Sequence, residues 1–286
     1  MASKPAPMGY IGGISIFGRA SVRATSSSLN MKQTIDHPDV IDGTVDWTIY
    51  QLKGIETEGD VQFPVLADPS SAGSLDFLFD IATQRDNDGE LTQFGPIVVT
   101  YGHQKGRRFN DCRVSQLELR ATAGERMDAT CGFWGTDAVI VGGTSVAPVS
   151  GKPIRVLAWA DVLISGTGIG SGCDVRELSL TINNNLSRNY TFCPSSGYFP
   201  NNISTGKRNI SGQLGFQGFA PTEELADQNQ NKTSPDATIT IATKTGFSKT
   251  FKNIIYEYQS LEAQPSVITS TVNWYAHADG GGKAFE

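Results

Sequence analysis

Histidine is the side chain most often recruited for metal binding and for proton transfer near neutral pH. This sequence has three, His37, His103 and His277. None has a second ligand at metal spacing, so all three read as surface or structural residues. The four cysteines, Cys112, Cys131, Cys173 and Cys193, lack the C-x-x-C spacing of a zinc or redox site. Each successive pair could straddle a hairpin, so disulfides stay open beside buried, reduced thiols. The stretches Gly13-Ile14-Ser15-Ile16-Phe17 and Gly143-Thr144-Ser145-Val146-Ala147 both miss the closing glycine of a nucleophile elbow. The alternating glycines from Gly166 to Gly172 precede a strand, whereas a dinucleotide-binding turn must open a helix.

Two charged clusters remain. Asp36, Asp39 and Asp42-Gly43, with Pro38 among them, are spaced by three. A calcium loop needs alternating ligands and a glutamate at its twelfth position, where Trp47 stands, so these read as solvated loop acids. Lys105, Arg107 and Arg108 form a compact basic patch at an expected hairpin tip. Solvation or inter-subunit ion pairing suits it better than nucleic-acid binding. No catalytic, cofactor or metal site is expected, and no enzyme activity.

The elements around these residues are mostly strands. Ile14 to Phe17 and Val22 to Ala24 read as a hairpin after a Pro- and Gly-rich arm, and Leu29 to Lys32 continues as strand. Asp36 to Asp46 leaves the sheet in a long loop marked by His37-Pro38-Asp39 and Asp42-Gly43. Ile55 to Val65 returns to it. Leu75, Leu78, Phe79 and Ala82 recur at helical spacing, predicting a helix that opens near Pro69-Ser70-Ser71 and stops around Asn87-Asp88-Gly89. Strands follow at Pro96 to Gly102, Phe109 to Ala121 and Met127 to Trp134, the last two joined at Gly124. Gly142 to Pro148 reads as a linker. Beyond it, Ile154 to Trp159 and Asp161 to Ile164 read as strands, and Val175 to Ile182 with Tyr190 to Cys193 as a hairpin around Asn183-Asn184-Asn185. Ile210 to Phe219 reads as strand and Pro221 to Ala226 as a short helix capped by Thr222. Strands at Ala237 to Thr243, Phe251 to Ala263 and Val267 to Ala276 precede a glycine-rich tail.

The second half repeats the first. Phe109-Asn110-Asp111-Cys112-Arg113-Val114 matches Phe251-Lys252-Asn253-Ile254-Ile255-Tyr256. Leu119 and Ala121 match Leu261 and Ala263 at the same offset. Trp134 pairs with Trp274 at nearly that offset, and Gly59 to Phe63 with Gly212 to Phe216 at a slightly longer one. Such a period predicts two similar α+β, mostly antiparallel β domains, residues 1–146 and 147–286, each with a flanking helix.

Composition narrows the function classes. The 286 residues are 38% hydrophobic and 18% charged, enough for a core yet suited to short strands and many turns. A net charge of −6 argues against non-specific nucleic-acid binding, which needs Lys and Arg to displace phosphate counterions. No run reaches the length of a membrane span. The first residues lack the apolar core of a signal peptide, so cytoplasmic synthesis without export is the expectation.

Several runs carry a resemblance. Pro38-Asp39-Val40-Ile41-Asp42-Gly43, Ile49-Tyr50-Gln51-Leu52 and Glu58-Gly59-Asp60-Val61-Gln62-Phe63-Pro64 stand in the first half. Leu178-Ser179-Leu180-Thr181-Ile182-Asn183-Asn184-Asn185-Leu186, then Gly206-Lys207-Arg208 before Ile210-Ser211-Gly212-Gln213-Leu214, stand in the second. The chain resembles the tail tube proteins (major tail proteins) of long-tailed bacteriophages, in a tandem two-domain form. The resemblance implies β-sandwich or half-barrel domains. Six such domains would form a ring whose inner sheets join into a barrel, and rings would stack into a hollow tube. Two domains per chain favour a trimer over a hexamer. The implied partners are further copies of the chain, a tape-measure protein in the lumen, and a sheath, a terminator and a baseplate hub. DNA would meet the tube only in transit, past an acidic lumen. The implied location is the virion tail, assembled in the host cytoplasm. On this reading the loop carrying Asp36, Pro38, Asp39, Asp42, Gly43 and Trp47 bridges rings or subunits. The alternatives are a baseplate hub or tube-initiator ring, and a receptor- or glycan-binding β module. The last would show exposed aromatic clusters at loop tips, whereas Trp47, Trp134, Trp159 and Trp274 fall mostly in strand-like runs.

Overall fold

The computed structural model describes residues 11–22, 24–36, 51–101, 105–142, 154–167, 169, 175–191, 197–217, 237–264, 267–278 and 284–286. Every pair of named strands among them is antiparallel, and they contain one α-helix. The fold is therefore α+β and mostly antiparallel β, as the alternation predicts.

Eight strands form one continuous row. They are β4 (Asn30–Asp36), β5 (Gln51–Pro64), β8 (Asp128–Gly135), β7 (Lys105–Thr122), β11 (Val175–Asn183), β14 (Asn209–Gln217), β18 (Val267–Ala276) and β17 (Ile254–Gln264), in that spatial order. The short β3 (Ser26–Ser27) extends the β4 side of β5. One face of the row is apolar. Val61 and Phe63, Leu117 and Leu119, Cys131 and Phe133, Leu178 and Leu180, Leu214 and Phe216, and Val272 and Trp274 alternate inward and are buried.

A second layer covers that face. Strands β1 (Ile11–Ile16), β2 (Arg19–Val22), β6 (Gly95–Tyr101) and β9 (Asp137–Gly142) gather around the first half of β7. Strands β10 (Val162–Gly166), β15 (Ile239–Thr243) and β16 (Ser248–Phe251) form a separate three-stranded sheet. Helix α1 (Leu75–Thr83) buries Leu75, Leu78, Phe79 and Ala82, as its periodicity requires. Phe79 packs 5.0 Å from Phe247 and 6.3 Å from Phe251 between ring centres, so the two halves of the chain share one core. The strands β12 (Ser187–Asn189) and β13 (Asn202–Ser204) form a small ribbon outside it.

Several boundaries depart from the sequence reading, each for a local reason. The helix is capped by Ser74, not opened near Pro69, because Asp68 accepts hydrogen bonds from Ser70 and Ser71 and holds that stretch as a turn. It ends at Thr83 rather than near Asn87. Ile154 to Trp159 is not a sheet strand: the Asp161 carboxylate accepts the Ala158 N–H and closes a short 3-10 turn, Trp159–Asp161. Trp159 is half exposed there. Val175 to Ile182 forms no hairpin with Tyr190 to Cys193, since both of its edges are taken by β7 and β14. Phe251 to Ala263 is two strands broken at Asn253, and β9 lies where only an approach to the linker was expected. Trp134 does not correspond to Trp274. Phe133 stands opposite Val114 as Trp274 stands opposite Tyr256, so Phe133 is the counterpart of Trp274. Residues 1–10 and 143–153, the expected second helix at Pro221 to Ala226, and the glycine-rich tail lie outside the described residues, while residues 11–13 of the expected N-terminal arm belong to β1.

Candidate functional site: a polar sheet face with two open edges

The outer face of the eight-stranded row is polar because strand alternation leaves every second side chain pointing away from the core. Glu58 and Asp60 on β5, Asp128 and Thr130 on β8, Glu118 and Arg120 on β7, Glu177, Ser179 and Thr181 on β11, Ser211 and Gln213 on β14, and Asn273 and Tyr275 on β18 share it. Glu257 joins it on β17, where its carboxylate accepts from the Tyr275 hydroxyl at 2.9 Å. Gln213 donates to Asn273 at 3.2 Å, and Arg120 pairs with Glu118 at 3.1 Å. Ser179, Thr181, Gln213, Asn273 and Tyr275 line a shallow depression of about 240 Å³. Carboxylates outnumber guanidiniums on this face, and its small hydroxyl and amide groups offer no apolar pocket for a ligand.

The row has two ends. Among the described residues β4 pairs only with β5, and β17 only with β18. Between them the halves join edge to edge: Leu119 stands opposite Leu180, with Arg120 opposite Ser179. An open edge presents unpaired N–H and C=O groups, which proteins normally cover or pair.

That junction is locked by the chain between β11 and β14. Asn184 is fully buried, and its amide donates to the Ala82 and Val114 carbonyls, both at 3.0 Å. Its oxygen accepts from Arg85 at 3.1 Å, and Arg85 also donates to the Gly206 carbonyl at 2.8 Å. Arg208 donates to the Thr83 carbonyl at 2.9 Å, so the last carbonyls of α1 are satisfied from the other half of the chain. Burial, with Arg85 nearby, pulls the Arg208 pKa down to about 10. Glu90 takes the Thr205 N–H and hydroxyl and the Arg113 guanidinium. Burial works to raise the Glu90 carboxyl, but these partners outweigh it and hold its pKa below the ordinary value. Arg188 sits 3.9 Å over the Trp134 ring and donates to Glu58 at 2.7 Å.

The residues singled out from sequence fall elsewhere. Asp36 ends β4 opposite Gln51 and pairs with Lys53 at 3.2 Å. Pro38, Asp39, Asp42, Gly43 and Trp47 lie outside the described residues, as do His37, His103, Cys173 and Cys193. Lys105, Arg107 and Arg108 begin β7, opposite Tyr101, Val99 and Val98. Alternation puts Lys105 and Arg107 on one face and Arg108 on the other, so they are not one patch. Arg107 donates to Asn30 at 2.8 Å. Cys112 and Cys131 are buried free thiols. Among the described residues no three His, Cys, Asp or Glu side chains gather as metal ligands. Sequence reasoning missed Arg85, Glu90, Arg113, Asn184, Arg188 and Thr205. The available signal was the Asn183-Asn184-Asn185 run, read as a turn and as part of the stretch that carries the family resemblance, with no contact assigned to it.

A family model described as phage tail tube protein matches residues 51–276. No curated protein matches the sequence. The match spans most of the chain, including seven strands of the eight-stranded row and the whole β11–β14 lock. The chain belongs to the phage tail tube protein family, a family of structural proteins of the viral tail.

Proposed function

We propose that this chain self-assembles into rings that stack into a hollow tail tube, the conduit for the viral genome. The observation that carries the reading is the eight-stranded row: it is joined edge to edge at its middle and, among the described residues, has no further strand on either outer edge. A closed ring covers both edges with copies of the same chain, and closure abolishes edges altogether. Each half, residues 1–146 and 147–286, supplies one tube domain. Three chains then provide six domains, so a trimer is favoured over a hexamer.

The polar face lines the lumen. Glu58, Asp60, Glu118, Asp128, Glu177 and Glu257, against Arg113, Arg120, Arg126 and Arg188, leave it a modest negative bias that keeps DNA from adhering as it passes. The lumen holds a tape-measure protein before the genome. The tube's other partners are a terminator, a baseplate hub and a sheath, and assembly takes place in the host cytoplasm. The loop bearing Asp36, Pro38, Asp39, Asp42, Gly43 and Trp47 bridges rings or subunits, and Lys105, Arg107 and Arg108 make ion pairs across subunit boundaries.

Negative-stain electron microscopy of the purified chain at high concentration tests this. Hollow rings with six lobes and the mass of three chains, or tubes built from them, are expected. Dispersed monomers at every concentration would overturn it.

A further inference from the structure

The internal β7–β11 junction has sequence and structural counterparts at the two outer edges of the row. Strand β17 follows the break at Asn253 as the second half of β7 follows Asp111. Aligning Asp111 with Asn253 maps Leu119 and Arg120 onto Leu261 and Glu262. Both strands carry a bulge, between Val114 and Gln116 in β7 and between Tyr258 and Leu261 in β17. Beyond the bulges the correspondence of β8 with β18 keeps one constant offset: Leu119 faces Ala129, and Leu261 faces Ser270.

The other side of the junction repeats as well. Gly59 and Gly212 stand opposite Phe133 and Trp274. On their far sides lie Leu29, whose backbone a Gly59 Cβ would meet at 2.6 Å, and Leu180, which is paired with Gly212. Ser27 pairs with Val61 as Leu178 pairs with Leu214. Residues 26–30 therefore map onto 177–181, Leu29 onto Leu180.

We infer that β17 of one copy pairs antiparallel with the β3–β4 edge of a second copy, Leu261 opposite Leu29, Glu262 opposite Ser28 and Gln264 opposite Ser26. This rests on the ring reading and deepens it by naming the partner edge and register. The seam reproduces the Leu119–Leu180 pairing inside the chain, so every junction around the ring is the same ladder. It is heterologous: the two edges differ, and a closed ring satisfies both.

Paired cysteines test it, because directly opposed residues bring Cβ atoms within disulfide reach and a two-residue slip does not. Ser28→Cys with Glu262→Cys, and Ser26→Cys with Gln264→Cys, are oxidised after assembly and run on non-reducing gels, beside single variants and the slipped pair Ser26→Cys with Glu262→Cys. The matched pairs are expected to give covalent oligomers ending at one closed species, at least tenfold more abundant than from the slipped pair. In the unmodified chain, amides of residues 30–32 and 258–264 are expected to gain hydrogen-exchange protection on assembly. Equal linking by the slipped pair, linking by Glu262→Cys alone, or rings without linking or protection at these edges would overturn the register while leaving the ring. Failure of the unmodified chain to form rings would overturn both.

Discussion

Asp111 and Asn253, which occupy matching positions in the two halves of the sequence, both adopt left-handed backbone, with φ of 46° and 49°. Each sits where the chain leaves the covering layer and enters the eight-stranded row: inside β7 for Asp111, and between β16 and β17 for Asn253. Left-handed backbone crowds a Cβ against the carbonyl, and short polar side chains tolerate it best. The repeated Asp/Asn in the two runs is therefore a corner-forming device.

Replacing Asn253 by Val tests that device. A β-branched residue there is expected to cost about 1–2 kcal/mol, whereas Gly is expected to cost little or to stabilise. Urea unfolding of the two variants gives the comparison. Equal midpoints for Val and Gly would remove the corner argument.

Gly212 carries a different constraint. A Cβ there would lie 2.3 Å from the Ser179 carbonyl oxygen and 2.5 Å from the Trp274 ring. Neither neighbour can withdraw: one is strand backbone, and Trp274 is fully buried. Gly212→Ala is expected to lose about 1–3 kcal/mol through overpacking. Gly142→Ala, with open space around it, is the contrasting substitution. The difference in their thermal midpoints is the readout.

Cys112 and Cys131 supply a chemical readout of packing. Burial pushes the Cys112 thiol up to about 12 and raises Cys131 further still. Only the thiolate reacts, so both are expected to resist alkylation at about pH 8 in the folded chain and to react fully in denaturant. Mass mapping of the two peptides distinguishes this from a native Cys112–Cys131 disulfide, which would block alkylation in both states.

Much of the architecture was legible from sequence because it rests on alternation. Leu117, Leu119 and Ala121 face the core with Ala129, Cys131 and Phe133 as the period of two requires, and Gly59 to Phe63 maps onto Gly212 to Phe216 as the repeat predicts. What alternation does not encode is partner choice. Val175 to Ile182 has the same apolar pattern whether it closes a hairpin with Tyr190 or bridges β7 and β14. In the fold it bridges them, and Asn184 at its end meets the Ala82 carbonyl of α1 from far along the chain. Arg85, Glu90 and Arg188 were invisible for the same reason: each is an ordinary polar residue until a distant segment packs against it.

The Glu90 cluster makes the junction sensitive to acid. A carboxyl whose folded pKa lies below its unfolded value near 4.5 contributes its full stability above the unfolded value and loses it as pH falls through the folded one. Glu90→Gln is expected to lower the unfolding midpoint at about pH 7. Its pH profile should be flatter than the parent's below about pH 5, the two converging in acid. Parallel curves through that window would show that the carboxylate charge is not what binds Thr205 and Arg113.

Asn184 is where the fold and the proposed ring meet. Its amide satisfies the Ala82 and Val114 carbonyls and its oxygen receives Arg85, so all three contacts fail together on truncation. Leaving buried groups unpartnered costs about 1–3 kcal/mol each, and relaxation recovers part, so Asn184→Ala is expected to destabilise the chain by roughly 2–4 kcal/mol. Asn184→Asp separates charge from shape: it keeps the Arg85 contact but turns a carboxylate toward two carbonyls, and is expected to be no better than Ala. In both variants, amides across residues 197–206 should exchange faster, since Gly206 is held through Asn184 and Arg85. A variant as stable as the parent, with unchanged exchange there, would mean that the β7–β11 ladder alone joins the halves.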